Sequence, residues 1–369
     1  MSFKSVRADS SRLLILGITM GLTAGLCGSN ATAQPSPAPA GADPTLAPYA
    51  SAKQSVHLAD GRALHLVCMG QGSPVVILSA GAGNWSIIWN KVQPAIAEKT
   101  RVCAWDRAGF GFSAPSRKSQ TVADTTSDLQ AALKIAGIGG PYIAVGHSLG
   151  GFETLLLKDR EPSKVVGMVL VDPSVPDQAA ILDRVAPALA EWNRSPDPAT
   201  TFLRQCAAAL RAGTVRRGGP DPDGCLRAPP MPANSPELRA ALEKQFAEAT
   251  TETIAANMDA YASIIGAMDV NSTIVIEPGR NYGRMPLIVL TAGDDAPPPD
   301  LPAADKPQYP LWTAAVRRAH DDLAALSTRG VNRMVPDSSH YIQQIKPQVV
   351  IDAIDEVVDE ARASRRTQG

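Results

Sequence analysis

The segment from Pro141 to Leu157, PYIAVGHSLGGFETLLL, passes from an apolar run typical of a buried strand to an apolar pattern with helical spacing. No spacer separates the two patterns, so the chain must turn sharply at Ser148. Gly146 and Gly150, on either side, are the residue type that such a turn demands. This strand, turn and helix single out Ser148 as a candidate functional residue.

Along the rest of the chain, short β-rich runs alternate with stretches of helical periodicity. Continuous runs of Val, Ile and Leu are typical of strands that are buried on both faces. SVHLAD and ALHLVCM predict a hairpin, and later strands are predicted at PVVILSAG, RVCAWDRAG, PYIAVGHS, VVGMVLVD, MPLIVLTAG and GVNRMVPDSS. The alternation predicts an α/β fold with a mostly parallel sheet flanked by helices on both sides.

The segment 174–284 interrupts this alternation, because it carries helical periodicity without a strand pattern. Helices are predicted at DQAAILDRVAPALAEW, ATTFLRQCAAALRAG, SPELRAALEKQFAEAT and TIAANMDAYASIIGAM. In the third of these, Ser235 is suited to the N-cap and Pro236 to the first helical position. We therefore expect a helical cap at 174–284, inserted between the sixth and seventh strands of a core formed by 54–173 and 285–369.

Residues 1–33 are organised like a secretory signal peptide. Lys4, Arg7 and Arg12 precede the apolar run LLILGITMGLTAGLC, and Ala31 and Ala33 supply the small residues of a cleavage site. A retained membrane anchor is the alternative, although the run is short for a span. Residues 34–53 are rich in Pro and Ala and predict a linker without a core. We expect a periplasmic or secreted protein with no stable membrane insertion after cleavage.

Composition narrows the classes of partner. The formal net charge is −1 and Lys and Arg form only short pairs, which argues against nucleic acid. Four cysteines follow the signal peptide, Cys68, Cys103, Cys206 and Cys225, and an even number in an oxidising compartment predicts two disulfides. The chain has no CxxC pair and its five histidines lack metal-ligand spacing, so we expect no metal site.

Four motifs occur in order: SAGAGNW after the third strand, WDRAGFGFS after the fourth, GHSLGG after the fifth and DSSHYIQQIKP near the C-terminus. With these motifs the chain, from about residue 54 to 362, resembles the α/β-hydrolase superfamily. The resemblance implies that Ser148 is the nucleophile and that His340 is its general base. It also implies an oxyanion hole made by the backbone N–H groups of Leu149 and Ala82. Ala80 departs from the superfamily, which usually has a histidine there.

The acid that would orient His340 has two candidates under this resemblance. Asp172, in VLVDPS, matches the position used by a minority of the superfamily, although Asp-Pro after a strand is also a common structural turn. Asp295, in TAGDDAPPP, follows the later strand that carries the acid in most members, but its spacing from Gly293 departs from the usual pattern. We predict Asp172 as the acid, with Asp295 as the alternative.

The resemblance therefore implies a serine hydrolase without metal or organic cofactor, acting on a small-molecule carboxylic ester through an acyl-enzyme. The alternatives are an amidase or peptidase, a lyase of the same fold and a non-catalytic binding module. The superfamily's strand order would pair Cys68 with Cys103, and Cys206 with Cys225 would close a loop within the insertion. The substrate's acyl chain and the oligomeric state are left open.

Overall fold

A computed structural model describes residues 43–51, 54–194, 197–227, 235–294, 296–298 and 301–366. Eight strands form one sheet: β1 Ser55–His57, β2 Ala63–Met69, β3 Val75–Ser79, β4 Val102–Trp105, β5 Tyr142–His147, β6 Val165–Val171, β7 Leu287–Ala292 and β8 Gly330–Val335. Their order is β1-β2-β4-β3-β5-β6-β7-β8. β2 runs antiparallel to β1 and β4, and all other neighbours are parallel. The predicted hairpin and mostly parallel sheet are confirmed.

Helices cover both faces of this sheet: α1 Gln93–Ala97, α2 Val122–Ile135, α3 Gly150–Arg160, α10 Tyr309–Ala324, α11 Ile342–Ile345 and α12 Pro347–Arg366. Strand residues alternate between two apolar clusters. Ile77 and Ala144 lie in the cluster that includes α2 and α3, whereas Val76 and Ile143 lie in the cluster that includes α1 and α12. Because neighbours along a strand point to opposite faces, a sheet covered on both sides needs continuous apolar runs.

The segment between β6 and β7 is helical: α4 Gln178–Val185, α5 Pro187–Arg194, α6 Pro198–Arg211, α7 Pro236–Glu248, α8 Thr251–Gly266 and α9 Met268–Ile274. No strand occurs among the described residues of 174–284. The first predicted helix is wrong in one respect, because it is two helices. Pro187 has no N–H to continue the helix ladder, so α4 ends before it and α5 begins with it. α9 was not predicted.

The four cysteines lie in the two pairs that the sequence predicts. Cys68 and Cys103 are directly opposite each other on the antiparallel strands β2 and β4, with their sulfurs 2.08 Å apart. The sulfurs of Cys206, on α6, and Cys225, in the loop that follows, are 2.01 Å apart.

The predicted linker 34–53 is wrong for Pro44–Tyr49. Pro44–Tyr49 form a 3-10 helix in which Leu46 and Tyr49 are buried, and the Tyr49 hydroxyl donates a hydrogen bond to Gln93 Oε1 at 2.6 Å. The two apolar side chains override the Pro/Ala-rich composition. The predicted signal peptide 1–33 lies outside the described residues. Within the part that is described, no helix has the length and apolar character needed to cross a bilayer.

Candidate active site

Ser148 occupies the sharp turn between β5 and α3. Its φ is +53°, in the left-handed region that non-glycine residues seldom adopt. A Cβ on Gly146 would lie 2.3 Å from the carbonyl oxygen of Gly150, and a Cβ on Gly150 would lie 2.3 Å from that of Ser79. Only glycine therefore fits at both flanking positions, which explains why the sequence frames this serine as it does.

His340 lies between β8 and α11, and Asp172 lies directly after β6. His340 Nδ1 is 2.7 Å from Asp172 Oδ2, and the Ala292 N–H donates to Asp172 Oδ1 at 2.9 Å. Both side chains are buried. Burial raises the pKa of Asp172, but the hydrogen bond from His340, the neighbouring histidine charges and the Ala292 N–H outweigh it and lower the pKa overall. Asp172 is thus an ionised carboxylate that holds the His340 ring through Nδ1–H.

His147, the last residue of β5, links the serine turn to His340. Its Nε2 donates to the carbonyl oxygen of His340 at 3.0 Å, and the two rings are 4.5 Å apart between centroids. Nδ1 of His147 is buried and has no hydrogen-bond partner among the described residues. Burial, followed by the nearby His340, lowers the pKa of His147 well below its usual value, so the ring is neutral. The sequence motifs did not indicate a role for this side chain.

The loop after β3 passes directly beside Ser148. A Cβ on Gly81 would lie 3.1 Å from Ser148 Cβ and 2.9 Å from His147 Nδ1. The next residue, Ala82, and Leu149 at the N-cap of α3 are both buried. Within the described chain, the N–H groups of Ala82 and Leu149 have no hydrogen-bond acceptor. Their assignment as oxyanion donors stays a prediction, and it needs such unengaged groups.

The structure pairs Asp172 with His340, and Asp294 of the later acid motif has a different hydrogen-bond partner. Asp294 Oδ1 accepts the N–H of Ala296 at 3.0 Å, in a local turn. Asp295, the alternative acid, lies outside the described residues.

The remaining histidines have other surroundings. His57 is exposed. His65 is buried, with Nδ1 2.7 Å from Asp106 Oδ2, and His320 is buried, with Nε2 donating to the carbonyl oxygen of Pro173 at 2.8 Å. Among the described residues, no group of three or more His, Cys, Asp or Glu side chains is placed to hold a metal ion.

Helix α8 of the inserted segment contacts the loops next to Ser148. The Tyr261 hydroxyl would lie 2.6 Å from a Cβ placed on Gly83, and the Tyr261 ring stacks on Phe110 with centroids 5.5 Å apart. Ile264, from the same helix, shares an apolar cluster with Ala82 and Leu149. The inserted helices therefore touch the loops that would bind the reacting carbonyl.

A family model described as the alpha/beta hydrolase family matches residues 75–353, more than half of the chain. The chain belongs to this family. The resemblance in the motifs and the predicted fold class are thus confirmed. An alpha/beta hydrolase places its nucleophile at the strand-to-helix turn, which is the position of Ser148 here.

Individual relatives of this alpha/beta hydrolase are distant. YqjL, an uncharacterized protein of Bacillus subtilis, is 32% identical over 128 residues, which cover 34% of this chain and 51% of YqjL. The chain therefore spans about half the length of that curated relative. A thermophilic esterase from Thermogutta terrifontis has 19% identity and a TM-score of 0.51, covering 83% of this chain and 98% of the esterase. The epoxide hydrolase CorEH also has 19% identity and a TM-score of 0.51, with coverage of 82% and 96%. These structures share the fold.

Proposed function

We propose that this alpha/beta hydrolase is a serine hydrolase that cleaves carboxylic esters through an acyl-enzyme. The observation that supports it most strongly is the hydrogen bond between His340 Nδ1 and Asp172 Oδ2. His147, which precedes the serine held at φ +53°, is in turn hydrogen-bonded to the backbone of His340. A carboxylate on Nδ1–H leaves Nε2 unprotonated, and this is the tautomer that a general base needs.

In the proposed reaction, Ser148 Oγ attacks the ester carbonyl carbon while His340 Nε2 takes the hydroxyl proton. The oxyanion accepts hydrogen bonds from the N–H groups of Ala82 and Leu149, each contributing about 3 kcal/mol to the barrier reduction. The intermediate collapses, and the leaving alkoxide takes the proton from His340. Water, activated by the same imidazole, then releases the acid and restores Ser148.

The residue type at position 148 distinguishes the proposed ester hydrolysis from other reactions catalysed by proteins of this fold. Dehalogenases and epoxide hydrolases of the superfamily use an aspartate where Ser148 stands, so resemblance favours acyl transfer here. A non-catalytic binding module would have no need to combine a paired histidine and carboxylate with a serine held in a strained strand-to-helix turn. Amides, epoxides and cyanohydrins are accordingly the substrates against which esters should be compared.

We further propose that 174–284 acts as the cap that shapes the acyl pocket and that the protein is exported. Contacts of α8 with Gly83 and Phe110 support the first. The two disulfide pairs support the second, because such bonds persist mainly in oxidising compartments.

Covalent labelling by a fluorophosphonate tests the nucleophile. Intact mass should show one adduct on the wild type, mapped to Ser148, and none on Ser148→Ala, because only a base-activated serine reacts quickly at phosphorus. Ser327→Ala, at a buried serine whose Oγ donates to the Met285 carbonyl, is the matched control and should label like the wild type.

A substrate panel tests the reaction class. Nitrophenyl esters of increasing acyl length should be hydrolysed by the wild type and not by Ser148→Ala. An adduct that persists in Ser148→Ala, or turnover of an epoxide or anilide with no turnover of any ester, would contradict the proposal.

A further inference from the structure

Arg107 is a buried cation behind the loop that follows β3. It comes two residues after β4 and is 2% exposed. Its Nε and Nη2 donate to Glu153 Oε1 and Oε2 at 2.7 and 2.8 Å, and the fully buried Glu153 also accepts from Thr125 Oγ1 at 2.6 Å. Well-packed apolar side chains are often as stable as a buried ion pair, so folding stability alone gives little reason for this one.

The other donors of Arg107 reach the loop itself. Nη2 donates to the carbonyl oxygen of Ala80 at 2.5 Å, and Nη1 donates to that of Gly81 at 3.0 Å. The Gly81 carbonyl oxygen also accepts the N–H of Asn84 at 3.3 Å. Two consecutive peptide groups beside Ser148 are therefore fixed by one guanidinium, which Glu153 in turn holds in a bidentate pair.

The Gly81 carbonyl belongs to the peptide group whose N–H is that of Ala82. In a trans peptide the N–H points opposite to the C=O, so a donor on the Gly81 oxygen directs the Ala82 N–H away from Arg107. A hydrogen bond from a charged donor is stronger than a neutral one, and hydrogen bonds in series polarise one another. Arg107 therefore sets the direction of the Ala82 N–H and makes it a better donor.

We propose that Arg107 is a positioning residue for the oxyanion hole, acting through the Gly81–Ala82 peptide without touching the substrate. The inference deepens the proposed function and rests on it. Glu153 serves by fixing the guanidinium plane. Arg107 should then contribute to binding of the transition state and little to binding of the ground-state ester.

The experiment replaces the whole ion pair, so that no buried charge is left unpaired. Arg107→Met/Glu153→Leu is compared with Arg280→Met/Asp159→Leu. This control removes an ion pair at 2.6 Å between the C-terminal end of α3 and the segment before β7, and its arginine side chain is also largely buried. We measure Tm, kcat, KM and the Ki of a trifluoromethyl ketone, whose serine adduct carries an oxyanion. In the Arg107 variant kcat should fall about 10- to 100-fold, while KM should stay within a few-fold of the wild-type value. The Ki of the inhibitor should rise by the same factor as kcat falls.

Two further readouts separate positioning from general damage. The pH at which kcat/KM is half-maximal should not move, because the His340–Asp172 pair is untouched. Arg107→Lys keeps a cation but cannot form the bidentate pair while reaching two carbonyls, so its kcat and Ki should lie between wild type and the double variant. If the double variant fails to fold, the parallel change of kcat and Ki in Arg107→Lys decides the question.

Wild-type kcat and Ki in a folded double variant would overturn the assignment, as would a fall in kcat with Ki unchanged or a shifted pH profile. Ser148→Ala separates this failure from that of the proposed function. If Ser148→Ala still hydrolyses esters, the proposed function itself fails. If Ser148→Ala is inactive while the Arg107 variants behave like the wild type, only the role of Arg107 fails.

Discussion

His147 Nε2 donates a hydrogen bond to the carbonyl oxygen of His340 across 3.0 Å, which ties the residue before the proposed nucleophile to the proposed base. Since burial lowers the pKa of His147, the ring stays neutral beside His340. The proposed mechanism creates an imidazolium at His340, and a neutral neighbour adds no repulsion to that charge. One side chain therefore fixes the backbone of the base without opposing its protonation.

Asp172→Asn should lower kcat by about 10⁴, the effect of the same change in a serine-protease triad, because an amide no longer fixes the imidazole tautomer. Asp294→Asn, whose carboxylate accepts only a local N–H in the described chain, should change kcat little. Tm is measured in parallel, because Asp172 also accepts the Ala292 N–H. If Asp295→Asn abolishes activity and Asp172→Asn does not, the acid follows β7 and our choice is wrong.

Gly81→Ala should impair both folding and activity. The new Cβ would meet His147 Nδ1 at 2.9 Å and Ser148 Cβ at 3.1 Å, a case of overpacking that typically costs about 1–3 kcal/mol. Gly139→Ala is the matched control, because a Cβ there has no heavy atom within 4 Å. Chemical denaturation and ester hydrolysis of the two variants check this. Equal behaviour would mean that the loop has room to move away from the turn.

Stability should fall as the pH drops below about 6.5, the ordinary pKa of histidine. Because the pKa of His147 is lowered in the native state, the unfolded chain binds a proton there at a pH at which the native chain does not. The stability that this difference contributes is fully present above about 6.5 and is lost as the pH falls below it. A histidine that is protonated only in the unfolded chain adds a slope of at most about 1.4 kcal/mol per pH unit to the free energy of unfolding. His320, whose pKa burial also lowers, acts in the same direction.

The variant His147→Gln isolates the contribution of His147. It should reduce the slope of the free energy of unfolding against pH by the amount that one proton contributes. Thr126→Val is the control, since it removes a buried hydroxyl that donates to the Val122 carbonyl and introduces no titrating group. It should shift stability equally at every pH. Denaturant unfolding between pH 5 and about 8 measures both, and an unchanged slope in His147→Gln would refute the assignment.

Tyr49→Ala should destabilise the protein by about 3–5 kcal/mol, because a fully buried aromatic side chain is removed. Tyr49→Phe should cost only about 1–2 kcal/mol, from the lost hydrogen bond to Gln93 Oε1. Denaturant unfolding of the two variants measures both losses in the free energy of unfolding. If neither variant differs from the wild type, residues 44–49 behave as the linker that composition predicts.

Cys206→Ala/Cys225→Ala should lower the free energy of unfolding by about 3 kcal/mol, because the bridge closes a loop across a sequence separation of 19. Non-reducing peptide mapping of the wild type should recover Cys206 with Cys225 and Cys68 with Cys103. Free thiols or crossed pairs would contradict the pairing.

The sequence predicted those features that leave a local pattern. Continuous apolar runs predicted the strands. Ser148 and His340 were predicted as site residues because each lies in a motif at the end of a predicted strand. Pro187 illustrates a boundary error, since the amphipathic pattern continues across it while the helix hydrogen bonds cannot.

Features that depend on distant partners left no such pattern. Arg107 lies in WDRAGFGFS, but its partners are the carbonyls of Ala80 and Gly81 and a carboxylate on α3, none of which is visible from spacing. The partner of His147 is likewise a carbonyl from the far end of the chain. Backbone acceptors carry no residue identity, so only the folded chain reveals these contacts.

The Tyr261 hydroxyl sits where Gly83 would otherwise carry a side chain, and Gly83 itself needs φ +72°. Helix α8 and the loop beside Ser148 are thus in close contact at this position. Grafting the 174–284 segment of another hydrolase onto this core would alter more than the choice of acyl chain. Under the proposed function we expect it also to disturb the loop beside Ser148, so that selectivity and turnover would change together.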